Sequence, residues 1–189
     1  TDPNGNPVFN ESGNLFFNIA RALDTELEIE RSFLIIGSLA ADIKLSDKFS
    51  NRFTVGATST RRNRTIRSLP GGVLQGFVGD ARFPGTQTEN VAIDFEYNVN
   101  NVFTYSDTYG DKHNLSASFL LEYNENIFTN VIASGRGFPT PDIPYLIIAA
   151  DPTNVSSQER RRTLFSQGLF VDYSYDNKYI ASASVRRDG

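Results

Sequence analysis

The sequence predicts an all-β fold: about six antiparallel, meandering strands of a large transmembrane β-barrel, with short periplasmic turns and long extracellular loops. Three observations point there. Apolar side chains recur with a period of two over stretches longer than the five or six residues usual for soluble sheets. The connections alternate between short and long. The rows opposite the apolar ones carry uncharged polar residues, and Asn, Ser and Thr make up 48 of the 189 residues.

Residues 1–30 are expected to form an extracellular loop or irregular lead-in, with the barrel portion covering 31–189. Within the lead-in, Asn14–Leu23 suits either a loop or a short helix, and Asp24, Glu26, Glu28 and Glu30 alternate along one face of an extended segment. The first strand reads Phe33, Ile35, Gly37, Leu39, Ala41, Ile43 and Leu45 on one face, with a mixed set between them. The second sets Phe53, Val55 and Ala57 against Arg52, Thr54, Gly56 and Thr58. The third is the clearest. Val91, Ile93, Phe95, Tyr97, Val99, Asn101, Phe103 and Tyr105 share one face, and all but Asn101 are apolar or aromatic. A helix would scatter Asp94 and Glu96 among those residues, whereas a strand sends alternate side chains to opposite faces. The fourth has Leu115, Ala117, Phe119, Leu121 and Tyr123 in one row; the fifth Phe165, Leu169, Val171, Tyr173 and Tyr175; the sixth Tyr179, Ala181, Ala183 and Val185.

Short turns are expected near Ser46–Asn51, Ser106–Asn114 and Asp176–Lys178, where Ser, Asp, Asn, Gly and Lys supply turn chemistry. Long connections are expected from about Arg61 to Asn90 and from about Thr129 to Arg160. Aromatic residues gather beside the short turns, as at a membrane interface: Phe49 and Phe53; Phe103, Tyr105 and Tyr109; Tyr173, Tyr175 and Tyr179.

Composition closes off other classes. With no Cys, the chain has no disulfide scaffold, thiolate metal site or cysteine nucleophile. A single His, His113 in an expected turn, leaves no multi-histidine metal site and no defensible Ser-His-Asp arrangement. A net charge of −4 argues against a general nucleic-acid partner. The longest apolar runs, Phe33–Ile36 and Tyr145–Ala150, fall far short of the ~18 residues of a membrane helix. No cofactor and no catalysis are expected.

The stretch from Leu169 to Gly189 is the most specific. Its Tyr173-Ser174-Tyr175-Asp176-Asn177-Lys178-Tyr179 turn and its Ile180-Ala181-Ser182-Ala183-Ser184-Val185-Arg186-Arg187-Asp188-Gly189 strand resemble a hairpin of the SusC/RagA family. These are TonB-dependent outer-membrane transporters of Bacteroidetes-type bacteria. Gly135-Arg136-Gly137-Phe138-Pro139 with Tyr145-Leu146, His113-Asn114-Leu115, and Asn6-Pro7 followed by a strand after Arg31 resemble further family stretches in the same order. The resemblance implies nutrient import across the outer membrane, of oligosaccharides or peptides, beside a SusD-like surface lipoprotein. It implies energy from TonB through a plug domain that this sequence does not contain. A barrel of that kind has about 22 strands, so six are roughly a quarter of it, and the chain reads as an internal segment.

Two groups of candidate site residues follow. Asp94, Glu96, Asn98 and Asn100 on one strand, with Glu122 and Asn124 on the next, would line the lumen; they could touch substrate or plug, or simply form a polar wall. The pair Asp94 and Glu96 has nothing around it to suggest glycosidase carboxylates. Arg61, Arg62, Arg64 and Arg67, with Arg160, Arg161 and Arg162, would sit at the interface. There they could contact outer-membrane lipid and lipopolysaccharide or a partner, or lie as solvated charges near the headgroups. The reading from a different class is a soluble β-sandwich that binds carbohydrate or protein as a surface adhesin. A small self-contained barrel would need at least two more strands.

Overall fold

A computed structural model describes residues 23–72, 79–143 and 145–189. The expectations placed on 1–22, including the choice between loop and helix for Asn14–Leu23 up to residue 22, lie outside the described residues; Leu23 itself is helical. The described residues form one antiparallel sheet of six strands in sequential order: β1 (Glu26–Lys44), β2 (Phe49–Ser68), β3 (Thr86–Tyr109), β4 (His113–Arg136), β5 (Asp151–Tyr175) and β6 (Tyr179–Asp188). A single 3₁₀ turn, Leu146–Ile148, interrupts the second long connection. The sheet is an up-and-down meander, and β1 and β6 are its two edges. A sandwich needs two sheets packed face to face, so the one continuous sheet argues against that alternative.

All six expected strands are present, and most are longer than their apolar rows. β2 runs on through Arg61–Ser68, β4 through Thr129–Arg136, and β5 begins at Asp151. The long connections are therefore 69–85 and 137–150 rather than 61–90 and 129–160. The β2 and β5 extensions are mostly polar on both faces, and the β4 extension sets Val131, Ile132 and Ala133 on successive positions, so none shows the alternation that marks a strand. Pairing with a neighbour, not side-chain hydropathy, holds them extended. β1 likewise opens at Glu26, inside the expected lead-in, where Leu27 and Ile29 already alternate with glutamates.

The residues divide into two compact units. One takes in the described parts of Thr1–Phe33, Arg61–Ala92 and Thr129–Gln158, and holds both long connections. The other comprises Leu34–Thr60, Ile93–Phe128 and Glu159–Gly189, and holds all three short turns.

In the second unit the turns show why their sequences were chosen. Gly110 and Asp111 both take positive φ, 55° and 58°, and the Lys112 N–H returns to the Tyr109 carbonyl at 3.3 Å. Asp176 and Asn177 do the same at 49° and 54°, with the Lys178 N–H on the Tyr175 carbonyl at 2.9 Å. Two successive left-handed residues match the twist of the strands they join, and Gly, Asp and Asn tolerate that conformation best. From this turn β5 and β6 pair residue for residue, Tyr175 with Tyr179, Leu169 with Val185 and Ser166 with Asp188. At the β1–β2 turn the Ser46 hydroxyl accepts the Phe49 N–H at 3.1 Å, and Lys44 pairs with Asp47 at 2.9 Å.

The burial pattern inverts that of a water-soluble protein. Among the described residues, glycines aside, the buried side chains are Phe138 and five polar or charged ones, Asn51, Arg67, Gln87, Glu125 and Ser166. Meanwhile Ile36, Leu39, Ile180 and Val185 are each more than 60% exposed.

Candidate functional site

The polar row expected to line a lumen is a hydrogen-bonded ladder in the second unit. Asn126 donates to Asp94 at 2.5 Å, and Asn124 donates to Glu96 at 3.1 Å. Each carboxylate on β3 thus meets an amide on β4, and the alternation that puts Asp94 and Glu96 on one face puts Asn124 and Asn126 beside them. Further along the same face Thr104 and Ser118 share a hydrogen bond at 3.1 Å. Glu122 accepts from Arg186 at 2.9 Å; Arg186 also donates to Asp188 at 2.8 Å and to the buried Ser166 hydroxyl at 3.1 Å. Asn98 lies over Gly56, whose missing side chain makes room for its amide. Asn100 is half-buried on the same row. All six candidates, Asp94, Glu96, Asn98, Asn100, Glu122 and Asn124, therefore stand on one polar face. The chemistry this supports is hydrogen bonding to a polar neighbour.

The arginines divide by face. Arg64 pairs with Glu28 of β1 through two nitrogens at 2.6 and 2.9 Å, and Arg61 donates to Asn63 at 3.3 Å. Arg62 is exposed. Arg67 is buried: one terminal nitrogen donates to the Pro141 carbonyl at 2.8 Å and the Ile143 carbonyl at 3.1 Å, and its guanidinium lies 5.9 Å from the Phe138 ring. It ties the second long connection to β2. In β5, consecutive arginines diverge. Arg160 lies over the Phe128 ring at 5.3 Å, while Arg161 reaches Glu125 at 3.3 Å. Arg162 is exposed. These clusters lie within β2 and β5, not at loop bases, because those strands extend beyond their apolar rows.

Two features went unseen in the sequence. The first is a clamp between the long connections, in the first unit. The Gly137 N–H bonds the Gly85 carbonyl at 3.1 Å, and the Phe138 N–H bonds the Pro84 carbonyl at 2.7 Å. Arg136 bonds Asp151 at 2.6 Å, stands 3.6 Å from Asp80, and stacks 4.6 Å from the Phe83 ring. The Asp80 carboxyl is held below its usual range, chiefly by hydrogen bonds from Arg82. The second is Glu125, 5% exposed on the face that otherwise carries the apolar row. It accepts hydroxyls from Tyr97 at 2.6 Å and Tyr123 at 2.7 Å. The signal for it was present: Glu125 breaks the Leu115–Tyr123 row with a carboxylate beside a tyrosine.

Among the described residues, no helix is long and apolar enough to cross a membrane, and no three His, Cys, Asp or Glu side chains are grouped to hold a metal. No protein-family model and no curated protein matches the sequence. Solved structures do. The RagAB peptide transporter superposes with a TM-score of 0.81 at 18% identity, over 91% of this chain and 19% of that one. The RagAB peptide importer in its "open-open" state gives 0.82 at 18%, over 98% and 21%. Its "closed-closed" state gives 0.78 at 19%, over 87% and 18%. The chain spans about a fifth of the length of the structures it matches, and at this identity the likeness is one of fold.

Proposed function

We propose that this chain is a stretch of wall from an outer-membrane β-barrel that imports nutrients, of the SusC-like, TonB-dependent kind. The observation that carries the reading is the sheet itself: one meander of strands up to 25 residues long, in which β3 and β4 are apolar on one row and hydrogen-bonded polar on the other. Lipid leaves no water for unpaired backbone, so strands that cross it belong to a closed barrel. Among the described residues β1 and β6 have one strand neighbour each, and in this reading further strands of the barrel pair with them. In this reading the apolar row meets lipid, and the Asp94–Asn126 ladder faces the lumen, a plug domain or passing substrate.

Peptides are the favoured cargo, since the structures with the same fold are described as peptide transporters and importers; oligosaccharides are the other class the sequence resemblance implies. A SusD-like surface lipoprotein would cap the extracellular side, and TonB would act through a plug outside this sequence. The chain's own part is wall, lipid contact and vestibule, with no bond-making chemistry. The experiment is uptake by cells carrying or lacking the gene for the intact polypeptide, with a mixture of labelled peptides. Uptake that needs both the gene and a functional TonB supports the proposal. Uptake unchanged by loss of either overturns it.

A further inference from the structure

We infer that Arg161, mounted on Tyr97, Tyr123 and Glu125, is a binding site for the phosphate of a membrane lipid on the outer surface of the wall. The inference rests on the membrane-spanning reading above and deepens it. The support is geometric. Glu125 occupies the apolar row of β4, is 5% exposed, and would be costly there alone. Two tyrosine hydroxyls at 2.6 and 2.7 Å hold one of its oxygens, leaving the other to face Arg161 Nε at 3.3 Å. The carboxylate thereby fixes the direction of the guanidinium.

A guanidinium has five N–H donors, and the ion pairs of Arg161 with Glu125 and Glu159 do not use all of them. Its side chain is 59% exposed, and its other acidic neighbour, Glu159, stands at 3.7 Å. The donors that remain suit the paired oxygens of a phosphate, which arginine grips at two points.

The occupant is a lipid rather than a free anion because of the surface around the site. Along β5 on the same row, Phe165 and Leu169 are both exposed. The apolar run of β5 ends at Phe165, and Arg161 follows two positions beyond Thr163. Tyrosines beside a cation at the end of an apolar run are what a headgroup boundary selects. Arg160 and Arg162 take the opposite face, so the positive charge of this run is split and one residue alone serves the lipid side.

The test uses the intact polypeptide, purified in detergent and titrated with phosphatidic acid or with phosphatidylcholine under native mass spectrometry. Wild type is expected to prefer phosphatidic acid. Arg161→Gln is expected to weaken that binding by about tenfold, the usual scale of a lost charged hydrogen bond. Arg162→Gln, on the other face, should leave it unchanged. Arg161→Lys keeps the charge without the two-point grip and should fall between, which covers the case of a glutamine variant that fails to insert. Phosphatidic acid bound equally by wild type and both Arg161 variants overturns the site. Displacement by an equal concentration of inorganic phosphate overturns the lipid assignment. A wild-type protein that stays in water without detergent overturns the membrane reading instead, so the two failures are distinct.

Discussion

At the scale of single residues, the positions that decide this structure are those where a side chain has no freedom. Gly137 has φ of +80°, and a Cβ there would lie 3.0 Å from the Ala150 Cβ and 3.1 Å from the Phe83 ring. Both its N–H and its carbonyl are in use, toward Gly85 and Ala150. Gly137→Ala is therefore expected to cost about 1–3 kcal/mol through backbone strain and crowding. Proteolysis within 137–150 should be faster than in wild type, and an unchanged cleavage rate would show that this connection is not held by the clamp. Arg67 illustrates how a residue can be found and its role missed. As one basic residue among several it reads as interfacial, but its guanidinium is spent on two loop carbonyls, which no spacing in the sequence announces. Glu125 is the converse: a carboxylate in an apolar row was visible, but the two tyrosines and the arginine that make it tolerable lie on three different strands.

At the scale of the strand, alternation carried nearly all the information that could be read from the chain. Val91–Tyr105 was legible because its two rows differ in polarity at almost every step, and β3 indeed covers it. The hairpin turns were legible because left-handed backbone needs Gly, Asp or Asn, and Gly110-Asp111 and Asp176-Asn177 supply them. Arg61–Ser68 and Asp151–Arg162 were not legible, since both of their faces are polar and only the neighbouring strand keeps them extended. The lumen candidates were named from one strand at a time, so their β4 partner Asn126 and the β6 residue Arg186 were missed; strand pairing supplies them. Adjacent residues of β3 should then respond in opposite ways to the same substitution. If the proposed barrel reading holds, Val99→Arg on the apolar row costs about 2–4 kcal/mol within the bilayer, while Asn100→Arg on the polar row costs far less. Folding of the intact polypeptide into bilayers, followed by denaturant titration, measures both. Equal costs would mean that the two rows do not face different media.

At the scale of the whole molecule, the described residues bury one apolar side chain, Phe138, which lies outside the strands, and expose long apolar rows, so apolar packing within the sheet contributes little. What holds it is the ladder of backbone hydrogen bonds and the polar cross-strand pairs; in the proposed reading the apolar rows meet lipid. That claim, one face to lipid and the other to water, underlies both the transport reading and the arginine site. The sequence has no cysteine, so single cysteines can be placed along β3 from Phe95 to Tyr105 in the intact polypeptide without background labelling. Each variant, in bilayers, is probed with a water-soluble maleimide and, through a fluorescent label, with brominated lipid. The account expects a period of two: even positions such as 96, 98 and 100 react from water, and odd positions such as 97, 99 and 103 are quenched by lipid. Equal reactivity with the maleimide and no lipid quenching at either set would contradict it, and the sheet would then be a water-exposed binding surface rather than a membrane wall.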